Sequence, residues 1–114
     1  MFPKKPNQRV LAAREEVLRT LGAAGLLCRG TIVKRTKVCG KSSCKCAQDP
    51  KARHGPYYEW GRMEGGRLVH TMISRAQAAE ILKAIREHRR IQKLLRKWEL
   101  ESTRELLALT SPKR

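Results

Sequence analysis

Carboxylates are scarce in this 114-residue chain: Asp49 is the only aspartate, and acidic side chains number 10 in all. Nearly all the glutamates fall on helix faces, so a paired-carboxylate, two-metal hydrolytic site has little to be built from. Glycine-rich loops of the phosphate-cradling kind are missing as well. A tyrosine nucleophile at Tyr57 or Tyr58 beside His54 is the remaining catalytic option, and it fails if His54 is a metal ligand, because a ligating imidazole cannot also act as base. The chain is therefore expected not to be an enzyme. No apolar run approaches the roughly 20 residues that cross a bilayer, so no membrane partner is expected. No apolar segment of leader type follows Met1-Phe2-Pro3-Lys4-Lys5-Pro6, and a cytoplasmic location, with reduced thiols, is the expectation. No internal repeat is visible.

What the chain has in abundance is positive charge. Lysine and arginine number 26, for a net charge of +16 and a pI near 10.6. Charge of that size calls for a polyanion, because each phosphate bound releases condensed counterions. The excess is uneven: residues 1–28 carry +3, residues 29–53 carry +7, residues 54–74 are neutral and residues 75–114 carry +6. The densest positive segment is also the one that holds three of the four cysteines.

The hydrophobic pattern predicts an α+β fold: an N-terminal helix, a small antiparallel sheet of about three strands with a metal-binding loop, and a long C-terminal helix. Pro6 or Asn7 opens the first helix, which runs to about Leu21 with Val10, Leu11, Val17, Leu18 and Leu21 on one face, and Gly22 and Gly25 end it. Residues 29–38 are β-rich, and residues 39–56 form a loop of glycine, serine, proline and cysteine. Residues 57–63 and 67–73 read as two strands joined by Glu64-Gly65-Gly66, whose glycines supply the positive φ of a tight hairpin. Ser74 with Gln77 three positions on forms a capping box for a helix reaching about Leu109. The expected segments are thus 1–25, 26–74, 75–109 and a frayed tail at 110–114, within one domain. Along the long helix the apolar stripe shifts: Ala78, Ile81, Leu82 and Ile85 share one side, whereas Ile91, Leu94, Leu95, Trp98, Leu106 and Leu109 share another. The first half is expected on the sheet. The second half has two candidate partners, the first helix or the same helix of a second chain.

The chemistry-bearing motif is Cys39-Gly40-Lys41-Ser42-Ser43-Cys44-Lys45-Cys46, followed after seven residues by His54-Gly55-Pro56. Zinc favours four soft or borderline ligands in a tetrahedron, and three thiolates with one imidazole within sixteen positions can supply them if the loop folds back. Cys39, Cys44, Cys46 and His54 are the expected ligands of one Zn2+. A closed set of four leaves no position for water, as in a structural site. Buried thiols and a Cys44–Cys46 redox pair are the competing readings. Cys28, in the apolar run Leu26-Leu27-Cys28, is expected as a small buried hydrophobe and is the substitute ligand should His54 not serve.

Gly30-Thr31-Ile32-Val33, Cys39-Gly40-Lys41, Cys44-Lys45-Cys46 and His54-Gly55-Pro56-Tyr57-Tyr58 together resemble a family of uncharacterised small prokaryotic proteins. Its signature is Cys-Gly-x-x-x-Cys-x-Cys…His-Gly-Pro-Tyr-Tyr with a hairpin and a basic C-terminal helix, and its members are similar to accessory proteins found near transposases and other mobile elements. The resemblance spans about residues 29 to 95. It implies a zinc site and a DNA-related setting, and no particular activity.

Two functions from different classes follow. In the first, the chain binds nucleic acid, DNA favoured over RNA. Arg29, Lys34, Arg35, Lys37, Lys41 and Lys45 lie around the zinc loop and Arg86, Arg89, Arg90, Lys93, Arg96 and Lys97 along the long helix, with Tyr57 able to stack on an unpaired base. In the second, it is an interaction module that forms a homodimer or docks a partner protein through Ile91, Leu94, Leu95 and Trp98.

Overall fold

A computed structural model describes residues 6–38, 40–52 and 54–109, the side chains of Lys37, Cys46 and Pro50 excepted. It has the expected α+β architecture: an N-terminal helix, a three-stranded antiparallel sheet and a long C-terminal helix. The tail expected at 110–114 lies outside the described residues.

Helix α1 spans Gln8–Ala23. Asn7 caps it, its side chain accepting from the Val10 N–H at 3.0 Å, which satisfies one of the donors that every helix start leaves orphaned. Gly22 falls inside the last turn, and the Ala24 N–H closes the helix by donating to the Thr20 carbonyl. Helix α2 spans Arg75–Leu109 without interruption. Its capping box is reciprocal: Gln77 N–H donates to Ser74 Oγ at 3.0 Å and Ser74 N–H to Gln77 Oε1 at 2.9 Å.

The sheet has the order β1-β2-β3, formed by Thr31–Lys37, His54–Glu64 and Arg67–Ile73. Strand β2 starts at His54, three residues before the point at which its pattern becomes obviously β-like, because pairing of Lys37 with His54 extends the ladder. Gly65 and Gly66 turn the β2–β3 hairpin at φ of 55° and 79°. Alternation gives the sheet two different faces. On one, Ile32, Tyr58, Trp60, Arg62, Val69 and Ile73 are half-buried. On the other, Val33, Tyr57, Met63, Leu68 and Met72 are exposed.

The chain divides into two compact units. One comprises Cys28–Ile85, that is, the sheet, its loop and the first turns of α2, with Ala78, Ala84 and Ile85 buried. In it the Cys28 N–H donates to the Ala84 carbonyl at 3.2 Å. The other comprises Met1–Leu27 and Arg86–Arg114, where α1 buries Val10, Ala13, Val17 and Thr20 and α2 buries Ile91. The reason for the shift in the α2 stripe is now plain: one continuous helix serves two cores.

In the helical unit Glu16 pairs with Lys97 at 3.7 Å and the Asn7 N–H donates to the Glu105 carboxylate, so α1 and this part of α2 run antiparallel. The buried α1 positions are spaced 3-4-3, and Ile91, Leu94, Trp98, Glu101 and Glu105 continue the same spacing on α2. These two rows form the buried seam of the helical unit.

The tightest backbone approach is at Gly30, whose φ is 113° and whose added Cβ would lie 2.2 Å from the Gly61 carbonyl oxygen. Gly30→Ala is expected to lower stability by about 2 kcal/mol or more, whereas Gly25→Ala, which meets open space, should change it by less than about 0.5 kcal/mol. Urea unfolding followed by circular dichroism compares the two.

Candidate functional site

The cysteine- and histidine-bearing motif lies in the segment between β1 and β2. Gly40, at φ 84°, begins the turn, the Cys44 N–H donates to the Lys41 carbonyl at 3.1 Å, and a 3-10 turn follows at Lys45–Ala47. A second 3-10 turn at Pro50–Ala52 is primed by Asp49, whose side chain accepts from the Lys51 N–H at 2.9 Å. Gly55, at φ 117° and followed by a cis bond to Pro56, is squeezed between the Arg35 carbonyl and Tyr57, where a Cβ would lie within about 3 Å of both. A bulge between Arg35 and Lys37 lies opposite it.

The loop folds back: Cys44 Sγ and His54 Nε2 are 3.4 Å apart. Two ligands of one tetrahedral zinc, with sulfur at about 2.3 Å and nitrogen near 2.0 Å, would be separated by about 3.5 Å. A thiol–imidazole hydrogen bond has a similar length, so metal content, not distance, separates the two arrangements. Of the other expected ligands, Cys39 and the side chain of Cys46 lie outside the described residues. Among the described residues alone no group of three or more His, Cys, Asp or Glu side chains is gathered for a metal. Cys28 is half-buried and fixed by its backbone to Ala84.

Of the basic residues expected around the loop, Lys34, Arg35, Lys41 and Lys45 are exposed, while the side chain of Lys37 lies outside the described residues; Arg29, also exposed, lies not beside the loop but at the opposite end of β1, next to Gly61, Met63 and Leu68. Arg35 is engaged by Glu59 at 3.5 Å, and His70 Nδ1 approaches the same carboxylate at 3.6 Å. These partly exposed pairs are each worth about 0–1 kcal/mol, but they make the centre of the exposed sheet face nearly neutral. Sequence reading missed this trio because its members are distant in the chain; alternation within β2 and β3 is the signal that places Glu59 and His70 on one face. Tyr57 and Tyr58 point to opposite faces, Tyr57 to the exposed one. Trp60, on the same face as Tyr58, is committed to the fold: its Nε1 donates to the Arg29 carbonyl at 2.8 Å, and the Arg62 guanidinium lies 4.0 Å above its ring.

In the helical unit, Arg86, Arg89, Arg90, Lys93, Arg96 and Lys97 are all exposed. Five basic residues, Arg86, Arg90, Lys93, Lys97 and Arg104, recur at spacings of three, four or seven and so form one stripe on a helix of 3.6 residues per turn. Arg9 of α1 joins it, lining a shallow depression together with Asn7, Glu101 and Arg104. The stripe from Arg86 to Arg104 is about 27 Å long. Of the expected interaction residues, Ile91 is buried inside the unit and Leu94 and Trp98 are half-buried, while Leu95 remains exposed.

The chain belongs to the family described as a domain of unknown function (DUF6788), which matches it over residues 7–83, from α1 through the sheet into α2. No curated protein and no solved structure matches it.

If the loop holds zinc, the purified full chain should contain about one equivalent by elemental analysis. Cys44→Ser and His54→Ala should each lower that content severalfold, and Cys28→Ser should leave it unchanged. Equal loss in all three variants would point to a non-specific thiol effect.

Proposed function

We propose that the chain is a basic nucleic-acid-binding module whose loop between β1 and β2 is organised by a structural zinc ion, and that it acts by binding and not by catalysis. The observation that carries the binding reading is the exposed cationic stripe of Arg86, Arg90, Lys93, Lys97 and Arg104, extended by Arg9. At 1.5 Å per residue the uninterrupted helix holds these charges over about 27 Å, the length of about eight base pairs. Contacts of this kind go to phosphates and set position without reading sequence. The exposed loop lysines Lys41 and Lys45 supply further cations in the other unit.

The zinc reading is supported by the Cys44–His54 approach of 3.4 Å and by chain reach. Cys39 is two residues beyond Lys37, the register partner of His54, and Cys46 two residues beyond Cys44, each within about 7 Å of chain. Cys39, Cys44, Cys46 and His54 would hold the ion, which would supply folding energy and no Lewis-acid step. The resemblance to proteins of mobile elements favours DNA over RNA and an accessory place in a DNA transaction.

A gel-shift panel of duplex DNA, single-stranded DNA and RNA at two salt levels tests the reading. Binding is expected, with log K falling against log salt at a slope of about −4 or steeper. Lys93→Glu with Lys97→Glu should reduce the slope by about 2. A flat salt response would refute phosphate contact, and turnover of labelled DNA would refute a purely binding role.

A further inference from the structure

The helical unit carries a second seam. On α1, Leu11, Arg14, Leu18 and Leu21 are spaced 3-4-3; on α2, Gln92, Leu95, Glu99, Ser102 and Leu106 are spaced 3-4-3-4. Both runs sit about 60° to 140° from the buried seam in the same rotational sense. Because the two helices are antiparallel, that common sense puts both runs on one side of the hairpin. The contacts already described check this geometry: Glu16, Lys97, Arg9 and Arg104 are rotated in the opposite sense, and they meet on the other side. Leu18, Leu21, Leu95 and Leu106 are 48%, 44%, 37% and 51% exposed, too much apolar surface on one narrow face to be scattered chance.

The alignment set by Glu16–Lys97 and Asn7–Glu105 places residue pairs whose numbers sum to about 113 at equal height. Leu18 then stands level with Leu95, and Arg14 level with Glu99. The face is therefore apolar, with one cation on one helix and one anion on the other at the same level. Turning a second copy about an axis parallel to the helices lays α1 over the partner's α2, so that each Arg14 meets the Glu99 of the other copy. The basic stripe of Arg86, Arg90, Lys93 and Lys97 stays on the outer side, where the strong positive charge of the two copies repels least.

We propose that two copies of this chain associate through this second seam into an antiparallel four-helix bundle, with crossed Arg14–Glu99 pairs fixing its register. The occupant is a second copy because the charged layer is complementary to itself under two-fold rotation, as an isologous interface requires. A polar layer of this kind specifies partner and register more than it adds stability. The proposal needs neither the zinc nor the nucleic-acid reading, and it leaves two cationic stripes facing outward.

Sedimentation equilibrium of the full chain across the micromolar range is the test, at moderate salt and free of nucleic acid. The expected mass is twice the 13.0 kDa of the chain. Leu18→Asp with Leu95→Asp should return it to a monomer of unchanged helical circular dichroism. Arg14→Glu should weaken association at least tenfold, and adding Glu99→Arg should restore it to within about threefold, as a double-mutant cycle of a contacting pair does. A monomer throughout, a dimer indifferent to these changes, or association only with an added protein from a lysate overturns the proposal. Gel shifts on the same variants keep the outcome separate from the binding reading, which a monomer that still binds nucleic acid leaves standing.

Discussion

Antiparallel pairing of β1 with β2 is the constraint on which the candidate site depends. It sets Lys37 beside His54 and so closes residues 38–53 into a loop whose ends are neighbours. Closing sixteen flexible residues costs on the order of 2–3 kcal/mol of chain entropy, which the ladder alone must offset unless something cross-links the loop. The sequence of that loop gives it little to bury: glycine, serines, lysines and cysteines, with exposed side chains at nearly every described position. A metal held by thiolates and His54 is a physical answer to that deficit. It would also explain why Gly40 and Gly55, both at positive φ, bracket the segment.

A second organising device is the sharing of α2 between two units. Its first turns bury Ala78, Ala84 and Ile85, and beyond Arg86 its buried position is Ile91. The helix changes its buried side along its 35 residues because each unit buries its own set of apolar positions. In the helical unit the consequence is a segregation of surface chemistry. One side gathers cations around Lys93 and Lys97, and the other gathers leucines around a lone opposite-charge pair, Arg14 and Glu99. Binding a polyanion and self-association therefore need not compete for the same side.

The capping of both helices, the glycine turn of the hairpin and the three strands were legible in the chain, because each is a local rule: Asn7 and Ser74 as caps, Gly65-Gly66 as a turn, period-two alternation in β3. The start of β2 was not legible, since His54-Gly55-Pro56 carries no β pattern and becomes strand only through its partner on β1. The division of the apolar face Ile91, Leu94, Leu95 and Trp98 was equally hidden. Periodicity puts the four together, but only the position of α1 decides that Ile91 is covered and Leu95 is not.

The amino-acid sequence alone thus determined the fold class, the positions of both helices and the strength of the positive charge, because these follow from patterns within a few residues or from composition. Tertiary structure alone decided that Arg9 of α1 joins the cations of α2, that Arg35 is tied to Glu59, and that Cys44 meets His54. Those are relations between segments far apart in the chain. They are set by strand register and helix alignment, which no local preference encodes.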